Sequence, residues 1–123
     1  MSAADEGQRP YDQVNGYVSE QARPVQYERG EAWVVVAHGA YDMDTIAPFA
    51  EALETAASKY TRVVVDASGI TFADSTFLNL LLRIHRLTQL RVVAPAEQLR
   101  RVLELTGADA VIDVRTSVDD AVL

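Results

Sequence analysis

From Val25 onward the chain switches repeatedly between two hydrophobic periods. Val25-Gln26-Tyr27-Glu28 alternates residue by residue and predicts a strand, and Arg29-Gly30-Glu31 predicts a turn. Ala32-Trp33-Val34-Val35-Val36-Ala37-His38 is rich in β-branched residues and predicts a second strand, ended by Gly39. The period then lengthens. Asp42-Met43-Asp44-Thr45 offers a helix start with Asp44 or Thr45 as cap, and Ile46, Phe49, Ala50, Leu53 and Ala57 recur at helical spacing as far as Lys59. Pro48 falls in the first turn, where a missing N–H costs little. Val63-Val64-Val65 is a continuous apolar run, the kind buried on both faces of a sheet.

Ser75 to about Thr88 is predicted as a helix and Leu90-Arg91-Val92-Val93 as a strand, closed by Pro95. Ala96 to Thr106 carries Leu99, Val102, Leu103 and Thr106 as one helical stripe, and Gly107 is its stop signal. Val111-Ile112-Asp113-Val114 is a last short strand, and Ser117 caps a final turn or two from Val118 to Leu123. The order β-β-α-β-α-β-α-β-α places an opening hairpin before strict alternation. It predicts an α/β fold: a mixed, mostly parallel sheet of four to five strands, with about four helices mainly on one face. Residues 1–23 are polar, with Gly7, Pro10, Asn15 and Gly16, and read as a flexible tail; 24–123 read as the domain.

Composition narrows the function. With 123 residues, 49% of them apolar and 24% charged, the chain suffices for one globular domain with a core. The formal net charge of −7 repels phosphate backbones and anionic lipid, so neither nucleic acid nor a membrane surface is an expected partner. A protein with a basic docking face suits it better. No apolar run has the roughly 20 residues of a membrane helix. The N-terminus lacks a basic start and an apolar stretch, so no secretory signal is read and a cytoplasmic location is expected. Cysteine is absent, which excludes disulfides, thiolate metal sites and cysteine nucleophiles.

Enzyme constellations are scarce, and the chain is not expected to be an enzyme or to need a cofactor. His38, at a strand end, and His85, on a helix and expected to face solvent, belong to no metal-ligand spacing. A Ser75–His38–Asp triad would lack the glycine-flanked elbow such serines require. No phosphate-binding loop is present; Asp66-Ala67-Ser68-Gly69-Ile70 holds one glycine and reads as an ordinary turn. Asp42, Asp44, Asp66 and Asp74 each follow a predicted strand or open a helix, positions that a parallel sheet gathers on one edge. Four carboxylates there suit either a Mg²⁺ site or, more simply, helix caps and an acidic docking surface.

One hydroxyl stands out on that edge. Ser75 lies in Ile70-Thr71-Phe72-Ala73-Asp74-Ser75-Thr76, between the strand Arg62–Asp66 and an apolar helix. The first N–H groups of a helix are unpaired and its dipole favours negative charge, so a phosphate there would be well placed. Capping by Asp74 is the plainer account of the same residues, and Thr76 offers a second hydroxyl.

The stretch from His38 to Leu123 resembles the STAS domain, specifically the bacterial anti-sigma factor antagonists. The resemblance is carried by Gly39–Thr45, by Val63-Val64-Val65-Asp66-Ala67-Ser68-Gly69-Ile70-Thr71-Phe72-Ala73-Asp74-Ser75-Thr76, and by Val102-Leu103-Glu104-Leu105-Thr106-Gly107. It implies a STAS domain over 24–123 whose Ser75 is phosphorylated by a GHKL-type kinase that is also an anti-sigma factor. It further implies that the unphosphorylated form binds that partner and frees a sigma factor, and that a PP2C-type phosphatase resets the cycle. Asp42, Asp44, Asp74, Thr76 and Phe77 are then expected in the docking face. The alternative within the same resemblance is a STAS scaffold or transport accessory subunit with no phosphoryl cycle. Two positions depart from the family: Phe77 and Asn79 stand where glycine is usual. Phe77 is either a core residue or an exposed aromatic hot spot, and the docking set counts it as the second. The link Arg86–Leu90 also lacks the usual glycine-rich turn, so the helix should end a turn early or the strand begin late.

Overall fold

The structure, a computed structural model, describes residues 23–123. The stretch read as a flexible tail lies, from residue 1 to 22, outside the described residues. The elements are β1 (Gln26–Arg29), β2 (Ala32–Tyr41), α1 (Ala47–Lys59), β3 (Arg62–Ala73), α2 (Ser75–His85), β4 (Gln89–Val93), α3 (Glu97–Thr106), a 3-10 turn (Ala108–Ala110), β5 (Asp113–Arg115) and α4 (Val118–Ala121). They form one α/β domain around a five-stranded mixed sheet of order β1-β2-β3-β4-β5. β1 pairs antiparallel with β2, and every later pair is parallel.

Because each crossover steps the same way along the sheet, and such crossovers are right-handed, α1, α2 and α3 fall on one face. Val63, Val65 and Val92 point to that face and share a core with Phe49, Leu53, Phe77, Leu81, Ile84, Leu99 and Leu103. Val64 and Val93 point the other way, with Val34, and are covered by Ala121 of α4. The continuous apolar run Val63-Val64-Val65 is thus buried on both sides, with all three side chains inaccessible.

Two strands run further than their hydrophobic runs suggest. β2 passes Gly39 to reach Tyr41, and β3 passes Asp66 and the stretch read as a turn to reach Ala73. The ladder survives by slipping: the register shifts between Val36 and His38 and again between Gly39 and Ala40. Both slips are bulges, which place two residues against one and twist the strands. Gly39 takes the φ of +87° that such a bend needs. A Cβ on Gly69 would stand 3.1 Å from the Ala37 carbonyl oxygen, a tight approach that glycine relieves as the strands close. At the other end of α2 the expectation of an early stop holds. The helix ends at His85, and Thr88 turns its hydroxyl to the Tyr60 carbonyl at 2.8 Å as β4 begins. β5 starts two residues later than read, because Ile112 is drawn into the core while Val111 stays exposed.

Candidate functional site

The bulges decide where the site lies. The last rung of the β2–β3 ladder joins Tyr41 to Ala73. Asp42 and Asp74, the next residues, therefore leave the sheet side by side, about one strand spacing (~4.8 Å) apart at the backbone.

The Asp42–Thr45 turn closes on itself. Asp42 Oδ1 accepts from the backbone N–H of Asp44 at 2.9 Å and of Thr45 at 3.1 Å, and the Asp42 N–H donates to Thr45 Oγ1 at 3.0 Å. Asp44 and Thr45 do not cap α1, as the sequence suggested: its N-cap is Ile46, with no side-chain cap bond. Asp42 holds the turn one step earlier. The turn thrusts Met43 outward, 77% exposed, between exposed Asp42 and Asp44.

Across the edge, Asp74 is the N-cap of α2. Its backbone is extended and its Oδ1 accepts from the Thr76 N–H at 2.9 Å. Ser75 is the first helical residue and is exposed; Asp74 and Thr76 are half-buried. Phe77 departs from the docking set. It is fully buried, its ring 5.2 Å from Tyr41 and 5.6 Å from Phe49. Tyr41 and Phe49 meet at 5.1 Å, so three aromatic rings lock the ends of β2, α1 and α2 together beneath the edge. The reason is angular: once Asp74 caps the helix, residues 77, 78 and 81 face the sheet. Asn79, the other departure, is exposed.

Tyr41 Oη accepts from the His38 N–H at 2.9 Å. Burial pushes the Tyr41 hydroxyl pKa above its ordinary value, and that hydrogen bond offsets only part of the rise.

Other sequence candidates are not assembled here. Asp66 lies back inside the sheet, paired with Val36 and Val93, and its Oδ1 accepts from the Ser68 N–H and hydroxyl. It neither ends a strand nor joins Asp42 and Asp74. Among the described residues no three acidic or histidine side chains gather to hold a metal ion. His38 stands opposite Gly69, on a rung behind the Tyr41–Ala73 end, and His85 is half-buried rather than solvent-facing.

Three residues escaped the sequence reading. Met43 lies within the acidic turn, and Phe72, 46% exposed, lies one rung behind the Tyr41–Ala73 end. Phe72 was hidden because β3 was read as ending at Asp66. Gln98 reaches across from α3 to the backbone of Ala73; no local pattern marks it. No ion pair between described residues engages Asp42, Asp44 or Asp74. No helix among the described residues is long and apolar enough to cross a membrane.

The profile of the family described as "Mlab, STAS domain" matches residues 26–115, from β1 through β5. No curated protein matches the chain. Among solved structures, an anti-sigma factor antagonist from Mycobacterium paratuberculosis is 27% identical, with a TM-score of 0.73 over 80% of this chain and 88% of its own. SpoIIAA, an anti-sigma factor antagonist, in its unphosphorylated form is 17% identical, with a TM-score of 0.68 over 80% of this chain and 92% of its own. Its phosphorylated form, described as a Bacillus cell fate determinant, is 17% identical, with a TM-score of 0.63 over 80% and 96%. At that identity the SpoIIAA likeness speaks for the fold alone. With the whole sheet and its three crossover helices inside the matched span, the chain belongs to the STAS domain family.

Proposed function

We propose that this protein is an anti-sigma factor antagonist whose docking is switched by phosphorylation of Ser75. The unphosphorylated form binds an anti-sigma factor that is also a GHKL-type serine kinase and so releases a sigma factor. A PP2C-type phosphatase restores that form. The observation that carries this reading is the placement of Ser75. Its hydroxyl is exposed on the first residue of α2, beside the Asp42 turn, on an edge whose carboxylates have no described ion pair. A phosphate adds roughly −1.5 to −2 charges. The helix N-terminus tolerates that charge without unfolding. A basic partner face closing over Asp42, Asp44 and Asp74 would meet new bulk at its centre.

The docking face comprises Asp42, Asp44, Asp74 and Thr76, with Met43 and Phe72 as its apolar contacts in place of buried Phe77. The test is capture from the native cell extract on immobilised wild type, Ser75→Ala and Ser75→Asp. Wild type and Ser75→Ala are expected to retain a GHKL-type kinase, identified by mass spectrometry, and Ser75→Asp to lose it. A second reading has its own support, since the Asp74 cap bond accounts for Asp-Ser-Thr without any phosphate. A STAS scaffold or transport accessory subunit would retain one partner equally on all three baits.

A further inference from the structure

Ala73 is the last residue of β3 and immediately precedes Asp74 and Ser75. On one side it faces Tyr41 of β2. On the other side no strand remains, because the last β3–β4 pair is Asp66 with Val93. Yet Ala73 is fully buried, and an unmatched peptide group there would be costly. The side chain of Gln98, in the first turn of α3, takes the missing strand's place. Its Oε1 accepts from the Ala73 N–H at 3.0 Å and its Nε2 donates to the Ala73 carbonyl at 3.0 Å. Only a primary amide offers donor and acceptor side by side in the geometry of a neighbouring peptide; a carboxylate loses the donor and a thioether loses both. Gln98 is itself held, because Leu99 and Leu103 anchor α3 in the core.

We infer that Gln98 is the positioning residue of the Ser75 switch: its amide fixes the height at which Asp74 and Ser75 leave the sheet. This rests on the proposed phosphorylation of Ser75. In that transfer the terminal phosphoryl group of ATP forms a bond to Ser75 Oγ while its bond to ADP breaks, and the hydroxyl proton passes to the kinase's base. Gln98 touches none of those atoms. It acts through Ala73, on an approach where a displacement of about 1 Å can cost on the order of 100-fold in rate.

The experiment compares wild type, Gln98→Met and Gln98→Glu in the full chain. Amide hydrogen exchange is read at Ala73, and steady-state phosphorylation is measured with the GHKL-type kinase captured from the native extract. Gln98→Met is expected to raise exchange at Ala73 about tenfold, as the loss of its hydrogen bonds implies. It should lower kcat about tenfold, because the reacting hydroxyl itself is displaced, while KM changes less, because the Asp42–Asp44 half of the docking face stands on the turn after β2, away from the Gln98 amide. Gln98→Glu keeps the acceptor and should fall between wild type and Gln98→Met in exchange. Unchanged exchange at Ala73 overturns the clamp. Faster exchange with unchanged kcat overturns the positioning role and leaves a structural one, as does failure of both variants to fold. Absence of phosphorylation at Ser75 in wild type, checked against Ser75→Ala, removes the reading beneath the inference and the inference with it, whatever the exchange rates show.

Discussion

Two regions of this molecule treat charge in opposite ways. On the face away from α1, α2 and α3, three guanidinium groups converge on the end of α4. Arg62 Nη1 donates to the carbonyls of Val122 at 3.1 Å and Leu123 at 3.2 Å, Arg91 Nη1 to Ala121 at 2.6 Å, and Arg115 Nη1 to Asp120 at 3.1 Å. Asp113 lies between Arg115, at 2.8 Å, and Arg91, at 3.3 Å. The Arg115 hydrogen bond holds the Asp113 carboxyl below its ordinary range. Cations at a helix C-terminus satisfy orphan carbonyls and match the dipole, so this charge is consumed by the fold. On the strand-end edge, Asp42 and Asp74 turn one oxygen each to local backbone N–H groups, and no described ion pair reaches them. The arginine charge is neutralised within the fold, whereas the strand-end carboxylates meet no cationic side chain among the described residues.

Substitutions in the two regions should separate stability from binding. Phe77→Ala empties the aromatic cluster and should cost about 3–5 kcal/mol of stability, measured by chemical denaturation. Partner affinity, corrected for the folded fraction, should stay unchanged; a stable variant with lost binding would return Phe77 to the docking face. Arg91→Met removes a largely buried donor to α4 and should cost roughly 1–3 kcal/mol. The loss should leave partner affinity intact, and altered affinity would couple the two regions.

Met43→Ala and Phe72→Ala should do the reverse. Each is expected to weaken binding of the captured kinase by about 1–2 kcal/mol in calorimetry, with melting temperature held within about 2 °C. The smallest effect concerns Tyr41. Its folded pKa lies above the unfolded value of 10.0, so the folded state keeps a proton that the unfolded chain loses. Stability is then full below pH 10.0 and falls as pH rises beyond it, towards the raised folded value. Tyr41→Phe should flatten that alkaline slope in denaturation at several pH values, at the expense of the bond from His38.

Local sequence signals carried most of the architecture. Alternation, the Val63-Val64-Val65 run, the helical stripes and the stop at Gly107 place every strand and helix in order. Ser117 accepts from the Asp120 N–H at 3.1 Å, the cap its position announced. Asp74 caps α2 for the same reason. These depend on a residue and its near neighbours, so they can be read along the chain. The opposite sides of the sheet were also legible, because a period of two assigns alternate side chains to alternate faces.

Other features depend on distances between segments far apart in sequence. The β2–β3 bulges carry both strands past their apolar runs, because each strand supplies the ladder that the other's local pattern does not announce. The Asp74 cap turns Phe77 towards the sheet, but the rings it packs against are set by where Tyr41 and Phe49 arrive from β2 and α1. Asp66 and Asp74 read alike in the sequence, yet one stays within the sheet and the other leaves it. Gln98 looks like any polar residue of a first helical turn until β4 ends short and leaves a buried peptide group at Ala73 for its amide to meet. Ser75 was legible because its setting is local, a strand end, a cap and a helix start. Asp42, Asp44 and Asp74 were legible as strand-end carboxylates of one edge, but Phe72 and Gln98 were not, because the sheet brings them there from the far end of β3 and from α3.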